Sequence, residues 1–348
     1  MRIDTGLMVG LDRGPASIAD AARLAEEQGY DGVFTAETSH DPFVGLILAA
    51  ASTTRLELAT GIAVAFARSP MTTAQIANDI HLLSQGRHLL GLGSQIQPHI
   101  TKRFSMPWSQ PAARMREYVL ALRAIWDCWN NGTRLDFRGE FYQHTLMTPF
   151  FNPGPNPYGT PRILIAAVGP AMTEVAAEVA DGVLIHGFTT PKYFDEVTAP
   201  AIERGLAKAG KTRDEFTVSY PAFVVTGEDD AAMAKAAAAV RSQIGFYGST
   251  PAYKPVLDIH GWGDLSGQLN RLSKAGEWTE MANLLSDDVL DAFAVVGAPD
   301  TVGTALAKRW ADKVDRVNFY APYALDASRW LDVADQIRAG ATSAPRGN

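Results

Sequence analysis

The sequence predicts an α/β fold, a single (β/α)8 TIM barrel with insertions after strand four and strand seven, and three observations carry that expectation. Short apolar runs rich in Val, Ile, Leu and Ala alternate with helical stretches along most of the chain. The first four strand-helix units follow one another with short connections, which favours right-handed crossovers and a parallel sheet. At 348 residues, 47% of them hydrophobic and 20% charged, the chain has the length and apolar content that such a barrel fills.

The first strand is expected over residues 3–9 and a helix over 15–28, where Ile18, Ala22, Leu24 and Ala25 roughly follow helical spacing before Gly29. Residues 30–36 form the second strand and end in the polar cluster Glu37-Thr38-Ser39-His40-Asp41, after which Pro42 opens a mostly apolar helix to Ser52. Residues 56–65 read as the third strand. Ser69 then caps a helix that has Pro70 at its first position, where a missing N–H costs nothing, and Gln85-Gly86 stops it. Residues 88–93 are the fourth strand.

The first insertion spans residues 94–161. It holds a loop, a helix over 111–129 with Met115, Tyr118, Leu122, Ile125 and Trp129 on one face, and a hairpin of 134–137 and 141–144 around Arg138-Gly139-Glu140. A Pro-rich loop closes it. Strands five and six follow at 162–167 and 182–186, with helices at 170–180 and 191–209; strand seven is 216–225, trailed by a helix over 229–244. The second insertion, residues 248–288, is rich in Gly, Pro and Trp. A helix over 299–310, strand eight at 316–321 and a helix over 326–338 complete one domain, residues 1–340, and residues 341–348 read as a flexible tail.

A net charge of −7 argues against a nucleic-acid partner, which would need a surplus of Lys and Arg. The first residues enter a strand with no secretory leader pattern, and no run of about 18 apolar residues offers a membrane span. A soluble cytoplasmic protein without a membrane partner is expected. The lone cysteine, Cys128, sits in a helical pattern between Trp126 and Trp129 and reads as a small core side chain. No His-x-x-x-His or His-x-His spacing occurs, so no metal site is expected.

Barrels place their working residues on the loops after the strands. Glu37 and His40 offer an acceptor and a donor for acid-base work there, although the same residue types also cap helices. His99, in the loop after strand four, is a candidate ligand contact, and His186, at the end of strand six, is either a ligand contact or a core histidine. Ala166-Ala167-Val168-Gly169 precede Pro170 at a helix start, where N–H groups could meet a phosphate. Asp79 is the only acidic residue between Leu58 and Arg116, a stretch suited to an anion with Arg68, Arg87, Lys102, Arg103, Arg114 and Arg116 as candidate cations. Gly91-Leu92-Gly93 begins a dinucleotide fingerprint, but Ile96 stands where its third glycine belongs.

Several strings, in this order and spacing, resemble the bacterial luciferase-like superfamily: Gly29-Tyr30-Asp31-Gly32-Val33-Phe34, Ala59-Thr60-Gly61-Ile62, Arg68-Ser69-Pro70, Ser84-Gln85-Gly86-Arg87, Leu90-Gly91-Leu92-Gly93, Arg116-Glu117-Tyr118 and Ala180-Asp181-Gly182-Val183. Within that superfamily the chain is most similar to oxidoreductases that use the deazaflavin coenzyme F420. The resemblance implies a non-proline cis peptide at Gly61-Ile62 behind the cofactor ring, phosphate contacts at Ala166, Ala167, Val168 and Gly169, and a pocket loop at Gly93, Ser94 and Gln95. It also implies acid-base roles for His40 and Glu37, although many relatives have an adjacent Asp-His pair there. The expected activity is hydride transfer between F420 C5 and a small-molecule substrate held under the second insertion, in a homodimer. An FMN-dependent monooxygenase and a non-catalytic flavin-binding protein are the alternatives.

Overall fold

The computed structural model describes residues 1–7 and 11–342. In chain order the elements are β1 (Arg2–Gly6), α1 (Gly14–Glu27), β2 (Gly32–Thr35), α2 (Pro42–Ser52), β3 (Glu57–Thr60), β4 (Ala63–Val64), α3 (Pro70–Leu83), β5 (His88–Gly93) and α4 (Pro111–Asn131). Next come β6 (Phe137–Arg138), β7 (Gln143–His144), β8 (Arg162–Ala167), α5 (Pro170–Val179), β9 (Gly182–Ile185), α6 (Pro191–Tyr193), α7 (Ala199–Ala209), β10 (Thr217–Val225) and α8 (Asp230–Gly248). The remainder is α9 (Lys254–Asp258), α10 (Gly263–Ala275), α11 (Trp278–Asn283), α12 (Asp287–Phe293), β11 (Ala294–Val296), α13 (Val302–Trp310), β12 (Arg316–Tyr320) and α14 (Ala327–Thr342). The hydrogen-bonded order β1-β2-β3-β5-β8-β9-β10-β12, with β12 paired to β1, is the strand succession of a (β/α)8 barrel.

The chain groups into two compact units. The larger holds residues 4–184 and 201–217. Its strands pair in parallel, with Val33 opposite Thr5 and Leu58, Ala59 opposite Leu89, and Leu92 opposite Ile165. β5 is buried at every position, as a strand covered on both faces should be. On α4, the expected face of Met115, Tyr118, Leu122, Ile125 and Trp129 is buried, and Trp126 joins it by donating its indole N–H to the Ala74 carbonyl at 3.2 Å. Each large apolar side chain buried in this way contributes roughly 1.5–3 kcal/mol.

Two carboxylates fasten the connections of this unit. Glu26, at the end of α1, accepts the backbone N–H groups of Thr54 and Leu56 at 3.0 Å each and so fixes the entry to β3. Glu117, on α4, accepts those of Glu140 and Phe141 at 2.8 and 2.7 Å and gathers the β6–β7 turn. A Cβ on Gly139 would lie 2.1 Å from Glu117 Oε1, so this turn needs glycine.

The smaller unit holds residues 1–3, 185–200 and the chain from Val218 to the end of the described residues. β10 pairs in parallel with β12, Tyr220 opposite Val317, and with β11, Val224 opposite Val295. Trp310 and Phe293 are buried in its core, and α13 packs along α14.

The structure departs from the sequence reading in several places. The third strand breaks into β3 and β4 at Gly61–Ile62. The hairpin strands are two residues each and start later than expected, because Glu117 draws the turn onto α4. The helix expected over 191–209 is interrupted by a π-type turn, Phe194–Thr198. β11 was not anticipated; its three residues follow α12 directly and are too short to show a period. α14 runs through Thr342, four residues beyond the expected helix end at Arg338, while residues 343–348 of the expected tail, and residues 8–9 of the first strand, lie outside the described residues.

Candidate active site

The site is built on the kink between β3 and β4. The Gly61–Ile62 peptide there is cis, as the resemblance implies. β2 stays paired across the break: Gly61 N–H donates to Thr35 O at 2.7 Å and Glu37 N–H to Ile62 O at 3.1 Å. Thr60, fully buried, donates its hydroxyl to Gly91 O at 2.7 Å. The kink presses closely on β5. A Cβ on Gly91 would lie 1.9 Å from Thr60 O, and one on Gly93 would lie 2.8 Å from the end of the Ile62 side chain. The two glycines of Gly91-Leu92-Gly93 therefore serve this approach, not a dinucleotide.

Behind the kink stands an ion-paired cluster. Glu37 Oε2 accepts from Val64 N–H at 2.7 Å and from Arg68 Nη1 at 2.6 Å, and Arg68 Nη2 reaches Asp41 Oδ2 at 2.7 Å. The Glu37 side chain is only 6% exposed. Burial works against the Arg68 charge, but hydrogen bonds and charges from Glu37 and Asp41 prevail, and its pKa is raised. Asp41 also caps α2, accepting Phe43 N–H at 2.9 Å. His40, between these residues, is exposed.

The loops after β5 and β8 approach the same strand ends. Gly93 lies opposite Val64, and Leu92 opposite Ile165, so Ser94, just past β5, and Ala166, near the end of β8, lie at the same ends of adjacent strands. Gln95 turns the chain in the left-handed region, φ 59°, and its side-chain oxygen accepts Ile96 N–H at 3.0 Å. Ser94 is half-buried and His99 exposed at the start of a π-type turn, His99–Arg103. Arg103 ties that turn to the loop after β2 through the Thr38 carbonyl. On the far side of β5, Ala166, Ala167 and Val168 lead to Gly169, the N-cap of α5, which has no side-chain cap. A Cβ on Gly169 would meet nothing within 4 Å. The first turn of α5 thus offers N–H groups and the positive end of the helix beside small residues, a fitting cradle for a phosphate.

The acid-poor stretch is not a general anion site. Arg87 is spent on the carbonyls of Ser84, Leu56 and Thr53 at 2.7–2.9 Å. Arg114 is buried against Phe66 and Tyr142 and donates to Pro107 O at 2.7 Å, and Arg116 pairs with Glu178. With Arg68 and Arg103 also committed, Lys102 is the candidate cation left exposed on the π-type turn. Counting charge along the chain could not reveal these partners, most of which are backbone carbonyls or distant acids.

In the smaller unit, His186 follows β9. Its Nδ1 accepts Phe188 N–H at 3.0 Å, and burial pushes its pKa down to about 4. Its ring packs on Tyr247 and Tyr253, with centroids 4.5 and 5.0 Å away. The Tyr247 and Tyr320 hydroxyls are 2.7 Å apart, a pairing the sequence did not disclose. Nearby, Phe246 and Trp278 are about half exposed (49% and 52%), and Trp262 stacks on His260.

A cavity of about 540 Å³ opens elsewhere in the larger unit, lined by Cys128, Thr133, Arg134, Leu146, Met147 and Asn152, and none of the candidate site residues lines it. Among the described residues, no group of three or more His, Cys, Asp or Glu is placed to hold a metal, and no helix is long and apolar enough to cross a membrane.

Comparison with known proteins sets this geometry in context. An uncharacterized protein of Mycobacterium tuberculosis is 58% identical over 302 residues, 87% of this chain and 89% of that protein. The 5,10-methylenetetrahydromethanopterin reductase of Archaeoglobus fulgidus is 34% identical over 80% of this chain and 82% of its own length. The solved structure of the coenzyme F420-dependent tetrahydromethanopterin reductase of Methanopyrus kandleri superposes with a TM-score of 0.77 over 97% of both chains at 22% identity, which shows the fold. The family pattern described as luciferase-like monooxygenase matches residues 2–316, and the chain belongs to that family.

Proposed function

We propose that the protein is an F420-dependent oxidoreductase that moves a hydride between the deazaflavin C5 and a small organic substrate. The observation that carries this reading is the arrangement of the Gly61–Ile62 kink and the uncapped start of α5 on either side of β5. Gly61 and Ile62 back the cofactor ring, Gly93, Ser94, Gln95 and His99 flank it, and Ala166, Ala167, Val168 and Gly169 receive its phosphate. The names of the Archaeoglobus and Methanopyrus relatives, both reductases, support the same choice.

When bound, the deazaflavin supplies the two-electron chemistry. The chain's own part is to orient it and to handle a proton. His40 takes the proton role, being exposed and unencumbered by the neighbouring ion pairs. Glu37 is reassigned to positioning, because its inner oxygen is held by Val64 and Arg68. Exposed Leu24, Val44, Leu82 and Leu83 on α1, α2 and α3 support a homodimer, which sedimentation would check.

The test is anaerobic turnover with F420 or its reduced form against a panel of alcohols, ketones and pterins, followed by the deazaflavin absorbance. Turnover without oxygen uptake is expected. Oxygen-dependent formation of an oxygenated product with reduced FMN, and none of the F420 reactions, would instead establish the monooxygenase alternative; binding without any turnover would leave only a flavin-binding protein.

A further inference from the structure

The smaller unit holds a second constellation whose chemistry points to a ligand. Two other tyrosine hydroxyls reach the backbone: Tyr323 donates to Val224 O at 2.9 Å and accepts Thr226 N–H at 3.1 Å, and Tyr118 sits 3.3 Å from Ser69 O as well as 2.5 Å from Thr73 Oγ1. Tyr247 and Tyr320 instead bond each other at 2.7 Å. When two hydroxyls share one hydrogen bond, one proton is used and the other remains to be donated. Whichever hydroxyl donates in this bond, one O–H of the pair is left to be donated.

The surroundings of this donor are aromatic. Tyr320 stacks on Phe223 with centroids 4.8 Å apart, and His186, Tyr253 and Phe188 complete the wall. Phe188 and Phe223 are fully buried, whereas His186, Tyr247, Tyr253 and Tyr320 each retain some exposed surface. The His186 ring is held neutral by burial, with its proton on Nε2 because Nδ1 accepts a backbone N–H.

Several cations of this unit are engaged elsewhere: Lys192 with the Ile259 carbonyl, Lys254 with Asp258, Arg241 with Leu285 O, and Arg309 with the Asp291 and Ala294 carbonyls. An anion here would lose its hydration without gaining a counter-charge. A neutral molecule would not.

We propose that His186, Tyr247, Tyr253 and Tyr320 form a binding cage for a neutral organic substrate, an aryl ketone or its alcohol, whose flat apolar body packs on the rings and whose oxygen takes the unused tyrosine O–H. Calling the ligand a substrate rests on the reductase reading above; the binding site itself does not. The single polar end of such a molecule meets a donor while its ring meets aromatic faces, so few converging groups fix its orientation without charge.

Calorimetric titration of the full chain with acetophenone, and with benzoate as its anionic counterpart, tests the cage, each with and without F420. Saturable acetophenone binding, with benzoate at least about tenfold weaker, is expected. Tyr320→Phe and Tyr247→Phe keep the ring packing and should each weaken acetophenone by about three- to tenfold while leaving F420 affinity unchanged. Equal binding of benzoate, no saturable acetophenone binding, or Phe variants indistinguishable from the unmodified chain would overturn it. Acetophenone binding that persists while F420 fails to bind would sustain the cage and remove only the reductase reading.

Discussion

The Arg68 guanidinium lies 2.6 Å from the Glu37 carboxylate, and the same carboxylate oxygen accepts the Val64 N–H at 2.7 Å. One buried oxygen therefore joins the loop after β2 to the strand just beyond the cis peptide. Removing its charge leaves Arg68 underpaired, since Asp41, its other partner, is far more exposed. Glu37→Gln should lower unfolding free energy by about 2 kcal/mol, measured in urea. As a positioning residue it should leave turnover within about tenfold, whereas His40→Gln should lower kcat by at least about 100-fold. A large loss in Glu37→Gln with none in His40→Gln would exchange the two roles.

Gly91 and Gly93 should respond differently to the same methyl group. At Gly91 it would strike a backbone carbonyl 1.9 Å away, with no freedom to yield, so Gly91→Ala should cost more than about 3 kcal/mol or prevent folding. At Gly93 it meets the Ile62 side chain, Cδ1 at 2.8 Å and Cγ1 at 2.9 Å, which can turn aside as a carbonyl cannot, and Gly93→Ala should cost about 1–2 kcal/mol. Thermal melts of the two variants give the comparison, and equal losses would contradict the close approach of β3 to β5.

His88 imposes a pH dependence on stability. It is fully buried, its Nδ1 is 2.8 Å from Leu58 O, and its Nε2 has no hydrogen-bond partner. Burial lowers its pKa from 6.5 to about 4. Between those values the unfolded chain binds a proton that the folded chain refuses, so stability is full above pH 6.5 and falls as the pH drops toward 4. His88 alone accounts for about 2 kcal/mol between pH 7 and pH 5. His88→Gln should be less stable at pH 7 but lose less on acidification; parallel urea midpoints at the two pH values would exclude this account.

Gly169 separates fold from cofactor. Its backbone, φ −89° and ψ 161°, suits an Asp N-cap, and the position opens onto free space. Gly169→Asp should therefore raise stability by about 0.5–1 kcal/mol through capping and the helix dipole. The same carboxylate would repel a phosphate and should weaken F420 binding by at least about tenfold. A melt and a binding titration on one preparation read both effects.

Legibility in the sequence followed the length and regularity of each element. β5 and β8 were read residue for residue, because HLLGLG and RILIAA are compact apolar runs with abrupt ends. The break at Gly61 lies inside the continuous run LELATGIAVAF, where hydropathy has no contrast; only the resemblance marked it. Arginine roles were the least legible. Arg87 and Arg114 look like available cations in the chain but satisfy carbonyls in the fold, and nothing local announces a carbonyl's need for a donor. The Tyr247–Tyr320 pair joins positions 73 residues apart, beyond the reach of any spacing rule.

Equilibrium titration of the purified chain with F420 and, separately, with FMN tests the cofactor assignment most directly. The account predicts saturable F420 binding that FMN displaces poorly and that Gly169→Asp weakens. Tight FMN binding with no saturable F420 signal, or F420 binding indifferent to Gly169→Asp, would contradict it.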